Sequence, residues 1–127
     1  MTSANQPSPR QQRQLDQALT RSLTAACETA KAEIVGFTWV THEVVWSDFS
    51  ASLRLIWVFE TEADISRAVS QGDDQRLLAL SAAALDDAGI TVPSINAIVS
   101  FDSEQACQHS DQGDWRARLD RLRRRLH

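Results

Sequence analysis

The stretch Phe37–Glu60, FTWVTHEVVWSDFSASLRLIWVFE, holds three of the chain's four tryptophans and three of its four phenylalanines, so the hydrophobic core is organised around it. Two runs rich in Val, Trp, Phe and Thr flank Ser47–Ser52, a Ser- and Asp-rich connection of the kind that turns a chain, and the whole reads as a β-hairpin. Strand alternation sets Leu53, Leu55, Trp57 and Phe59 on one face and Arg54, Ile56, Val58 and Glu60 on the other. Pairing Trp46 with Leu53 lines Val40, His42, Val44 and Trp46 up with the first face, which is the predicted core face. A register one residue off buries Trp39 and Glu43 instead, and a buried Glu43 needs a cation that Arg54, on the opposite face, does not supply.

Upstream, Ser8-Pro9-Arg10-Gln11 carries a helix start: Ser8 as N-cap, Pro9 at the first helical position and Gln11 reaching back. Leu15, Leu19, Leu23, Ala26, Cys27 and Ala30 then recur at helical spacing, which predicts a helix to about Ile34 closed by Gly36. Residues 1–7 form a polar tail expected to be disordered, leaving 8–127 as a single domain.

Downstream, Thr61 with Asp64 opens a short helix ended by Gly72, and Asp73-Asp74 opens a longer one ended by Gly89. Ile95, Ala97, Val99 and Phe101 alternate with Asn96, Ile98 and Ser100, predicting a third strand over 94–101. Reached by a helical crossover, that strand is expected to lie parallel to the first strand of the hairpin. A short helix follows from Asp102-Ser103-Glu104, and Asp114 caps a last one. The predicted fold is α+β, order α-β-β-α-α-β-α, with a three-stranded mixed sheet and helices packed on it. Trp115, Leu119, Leu122 and Leu126 make an apolar stripe on the last helix. That stripe is the candidate interface: it folds back over Phe37, Trp39, Ile56 and Val58, or meets a second copy in a homodimer.

Net charge −4 conceals an asymmetry: +2 over residues 1–31, −10 over 32–111 and +4 over 112–127. A protein coating nucleic acid along its whole surface is not built this way. The six terminal arginines nevertheless offer a phosphate-contacting face in Arg118, Arg121 and Arg125, against the plainer reading of a solvated helix. No run approaches the roughly 18 apolar residues of a membrane span, and the polar start lacks a signal-peptide apolar region, so a cytoplasmic protein is expected.

Chemistry is sparse. The chain has no G-x-G-x-x-G, P-loop, G-x-S-x-G or C-x-x-C, and Lys31 is its only lysine. His42, near Glu43 and Asp48, is the one candidate acid or base, against the plainer role of a hydrogen-bonded strand histidine. Cys107 and His109 lack a third ligand, so no metal or other cofactor is expected. Three function classes follow: a non-enzymatic interaction or regulatory domain, a nucleic-acid binder, and a small enzyme around His42. The first is favoured.

FTWVTHEVVWSDFSASLRLIWVFET, a helical crossover, INAIVSFDSEQAC and then GDW together resemble a group of small bacterial proteins that carry the label of Fis-family transcriptional regulators. The likeness spans about residues 12–118 and implies a shared fold, with no catalytic residues to carry over. Fis proteins read DNA through a C-terminal helix-turn-helix, whereas this chain ends in one Arg-rich helix after Gly113.

Overall fold

A computed structural model describes residues 7–125, without the side chains of Ser50, Arg124 and Arg125. The proposed roles of Leu126 and of the Arg125 side chain, and nearly all of the expected tail, lie outside the described residues. The elements are α1 (Pro9–Glu33), β1 (Phe37–Glu43), α2 (Phe49–Ser52), β2 (Arg54–Phe59), α3 (Glu62–Ser70), α4 (Asp73–Asp87), α5 (Ile95–Ile98), β3 (Val99–Ser103), α6 (Glu104–Asp111) and α7 (Trp115–Arg125). The fold is α+β with a mixed three-stranded sheet, as the patterning requires.

The helix boundaries follow local chemistry. Ser8 Oγ accepts from the Gln11 amide at 3.2 Å while the Gln11 side chain accepts from the Ser8 amide at 2.8 Å, a reciprocal cap that starts α1. Thr61 and Asp64 make the same box at α3. Gly36 turns the chain out of α1 at φ 87°, and its carbonyl accepts from the Glu60 amide at 2.8 Å, tying the start of β1 to the end of β2.

The sheet order is β1-β2-β3, with β1 antiparallel and β3 parallel to β2. The expected parallel alignment of β3 with β1 is not found: β3 joins β2 in parallel and so runs antiparallel to β1. The run LIWVF of β2 explains the placement: it is buried along both faces, as only a central strand can be. The hairpin register pairs Val40 with Trp57 and His42 with Leu55, two residues away from the expected one, so the faces are kept and the partners change. Trp46 does not join the ladder. The connection is a 3-10 turn over Trp46–Asp48 running into α2, where Trp46 stacks on Phe49 at 5.2 Å.

A bulge between Phe37 and Trp39 swings Phe37 onto the core face, where it meets Trp57 at 5.3 Å and Phe59 at 5.8 Å between ring centroids. The third strand begins at Val99. Residues 95–98 instead form one helical turn, whose i,i+3 pair Ile95 and Ile98 packs against the core.

The main core lies between one sheet face (Leu53, Leu55, Trp57, Phe59) and the apolar stripes of α1 and α4. Small side chains, Ala26 and Ala30 on α1 and Ala84 on α4, let those two helices approach. Arg76 forks onto Glu33 across their ends at 2.8 and 3.0 Å. Trp57 is fully buried, and its indole N–H donates to Ser81 Oγ at 2.9 Å, which itself donates to the Leu77 carbonyl.

Candidate functional site

On the second sheet face stand Trp39 and Thr41 of β1, Ile56 and Val58 of β2 and Ser100 and Asp102 of β3. There α7 folds back. Trp115 meets Trp39 edge to face at 5.0 Å, and the two indole N–H groups donate to the two oxygens of the Glu104 carboxylate, at 2.8 and 2.7 Å. One turn further, Arg118 donates to both oxygens of Asp102 at 2.7 and 3.0 Å and to Asp111 at 2.9 Å, and Arg121 joins Asp111 at 2.8 Å. Asp114 caps the helix by accepting from the Ala117 amide.

The electrostatics of this cluster are those of a fastening. Burial pushes the Asp111 carboxyl upward, but the hydrogen bonds from Arg121 and Arg118 outweigh it, and its pKa lies below the usual carboxylate range. The Arg118 guanidinium is held still more firmly protonated by its hydrogen bonds to Asp102 and then Asp111, against a smaller opposing effect of burial. Cys107 is fully buried beside the cluster, and burial raises its thiol pKa. Arg118 and Arg121 thus already have carboxylate partners, which nothing in the spacing of the arginines foretold. Leu119 and Leu122 of the stripe remain half-buried.

His42 stands on the core-side face of β1, and its Nε2 meets Asp16 Oδ1 of α1 at 2.8 Å. Its partner is thus neither Glu43, which lies on the opposite face, nor Asp48. No hydrogen bond links His42 to a hydroxyl or thiol among the described residues, so the pair ties strand to helix without addressing a nucleophile. His109 is exposed while Cys107 points inward, and no group of three or more His, Cys, Asp or Glu side chains converges among the described residues. No described helix is long and apolar enough to cross a membrane.

A feature the linear pattern did not locate is the free edge. β1 is an outer strand, and every residue after Phe37 stays partly exposed. Beside it, between the strand and α1, runs a groove of about 240 Å³ lined by Leu23, Thr24, Cys27, Glu28, Lys31 and Val40. An unpaired strand flanked by a groove is the geometry of strand addition: the backbone supplies hydrogen bonds and the groove takes alternate side chains. Comparison with protein-family models, with curated proteins and with solved structures finds no match to this chain.

Proposed function

We propose that this protein is a non-enzymatic interaction domain that works as a two-fold homodimer, joined by antiparallel pairing of β1 with the β1 of a second copy. The observation that carries the reading is the open edge of β1 with the α1 groove beside it. A two-fold axis across that edge makes one six-stranded sheet and brings the two α1 helices alongside each other in opposite directions. Such an interface needs self-complementary charge. Glu28 and Lys31, one turn apart on the groove wall, supply it, each meeting the opposite residue of the other copy. Apart from its bulge near Phe37, β1 carries neither the proline nor the lysine that commonly blocks edge pairing.

The competing reading, phosphate contact through α7, draws on arginines of which Arg118 and Arg121 are held by Asp102 and Asp111. Sedimentation of the wild type, Lys31→Glu and the swap Glu28→Lys/Lys31→Glu separates the readings. The dimer is expected for the wild type, lost in the single variant and restored by the swap. A monomeric wild type, or a dimer indifferent to Lys31→Glu, contradicts the proposal, and a gel shift whose salt dependence flattens on replacing Arg121 supports the alternative.

A further inference from the structure

α7 is held differently from α1 and α4. Those two helices each bury four residues, whereas no described residue of α7 is fully buried, and its main backbone neighbour is α6, the helix just before it. Its fastening is largely polar: Glu104 accepts from the Trp115 indole at 2.8 Å, and Asp102 and Asp111 hold Arg118 and Arg121. Beneath it the sheet is apolar and closed to water, with Ile56 and Val58 both buried. Further along the same face, the cross-strand pair Glu43 and Arg54 has Oε1 and Nη1 buried, and no described side chain gives either atom a hydrogen bond. The connection from α6 is exposed, and its two residues Gln112 and Gly113 are both left-handed, at φ 52° and 81°. Gln112 is the one described non-glycine residue in that region, a conformation its side chain resists.

We propose that α7 is a releasable strap, which lifts as a unit about Gln112 and Gly113 while α1, α4 and the sheet stay folded. An element fixed by side-chain ion pairs, with no buried residue of its own, opens more readily than the core, and the torsions that must change lie in two exposed residues. Closed, the strap hides the face of Trp39, Ile56 and Val58 and occupies Arg118 and Arg121 with internal carboxylates. Open, it presents that face and those guanidiniums together, so the closed contact is autoinhibitory towards any partner of either. All of these contacts lie within one copy, and the device holds with or without the proposed dimer.

Native-state hydrogen exchange of the ¹⁵N-labelled full chain, through a series of low urea concentrations at one protein concentration, tests the strap. The amides of Arg118–Arg123 are expected to share one opening equilibrium, more populated and less urea-dependent than that of Leu55–Val58. Asp111→Asn, which weakens the hold on both arginines, is expected to raise that opening about tenfold. Ser81→Ala, which loosens the Trp57 site on the opposite sheet face, is expected to speed exchange at Leu55–Val58 and leave Arg118–Arg123 unchanged. One common urea dependence for α7 and the sheet, or an equal effect of Ser81→Ala on both, shows that α7 leaves only in global unfolding and overturns the strap. Protection that declines residue by residue towards Arg123 with no shared opening overturns it in favour of end fraying, and α7 exchange unchanged by Asp111→Asn overturns the ionic fastening. The wild-type urea series keeps the test decisive should Ser81→Ala fail to fold.

Discussion

Trp39 and Trp115, 76 positions apart in the chain, meet edge to face at 5.0 Å and share one carboxylate, that of Glu104. Neither indole N–H is left without an acceptor, and α7 acquires a fixed seat on a sheet face that would otherwise expose Ile56 and Val58 to water. Trp115→Ala should therefore cost about 3 kcal/mol, the usual scale for deleting a packed aromatic ring. Glu104→Gln, which keeps one acceptor and loses the charge, should cost about 1 kcal/mol. Chemical denaturation followed by tryptophan fluorescence measures both, and a Trp115→Ala midpoint equal to the parent's would show that α7 does not depend on that seat.

The arginine cluster predicts an acid lability. The folded-state pKa of Asp111 lies below its unfolded value, so the unfolded chain binds more protons on acidification. The stabilisation is complete above the ordinary aspartate pKa of about 4 and is lost as pH falls through the lower folded value. Asp111→Asn should lower stability at pH 7 and flatten its decline between about pH 5 and pH 2. Thermal melts across that range check it, and parallel curves for the two proteins would remove Asp111 from the explanation.

Arg118 is the harder residue to lose. Only 12% of its side chain is exposed, and its removal leaves the buried Asp102 carboxylate without a cation and takes from Asp111 one of its two arginines. Arg118→Ala should cost about 3 kcal/mol or more, while Arg118→Ala with Asp102→Asn should cost less than the sum of the two single changes. An additive double mutant, measured by urea denaturation, would mean that the contact carries no coupling.

In the main core, Ser81→Ala should cost about 1–3 kcal/mol, because it leaves the Trp57 N–H unsatisfied in a site closed to water. Trp57→Ala should cost about 3–5 kcal/mol, much of the stability of a domain this size. Gly36→Ala should destabilise as well, since a Cβ there collides with Asp64 in a backbone conformation at φ 87° that alanine resists. Equal melting temperatures for these variants and the parent would refute the packing described.

Much of the fold was legible because local chemistry wrote it. Ser8, Thr61 and Asp114 announce helix starts, Gly36, Gly72 and Gly89 mark the boundaries, and the alternation of Leu53 to Phe59 fixes the core face. The sheet order was misread although its sign was present, since the unbroken LIWVF belongs to a central strand while β1, interrupted by Thr38, Thr41 and Glu43, belongs at an edge. The alternation from Ile95 to Phe101 misled because a single helical turn also buries Ile95 and Ile98. The partners of His42 and Arg118 were not legible at all: Asp16, Asp102 and Asp111 become neighbours only when the chain closes.

The most direct measurement of the proposed assembly is backbone hydrogen exchange at two protein concentrations, one well below and one well above the association midpoint. Pairing of β1 with a second copy predicts slower exchange at high concentration for amides within Trp39–Glu43, with added protection along Thr20–Lys31 of α1 and none in α7. Exchange in β1 that is independent of concentration, or protection that grows on α7 instead, would contradict the β1 interface.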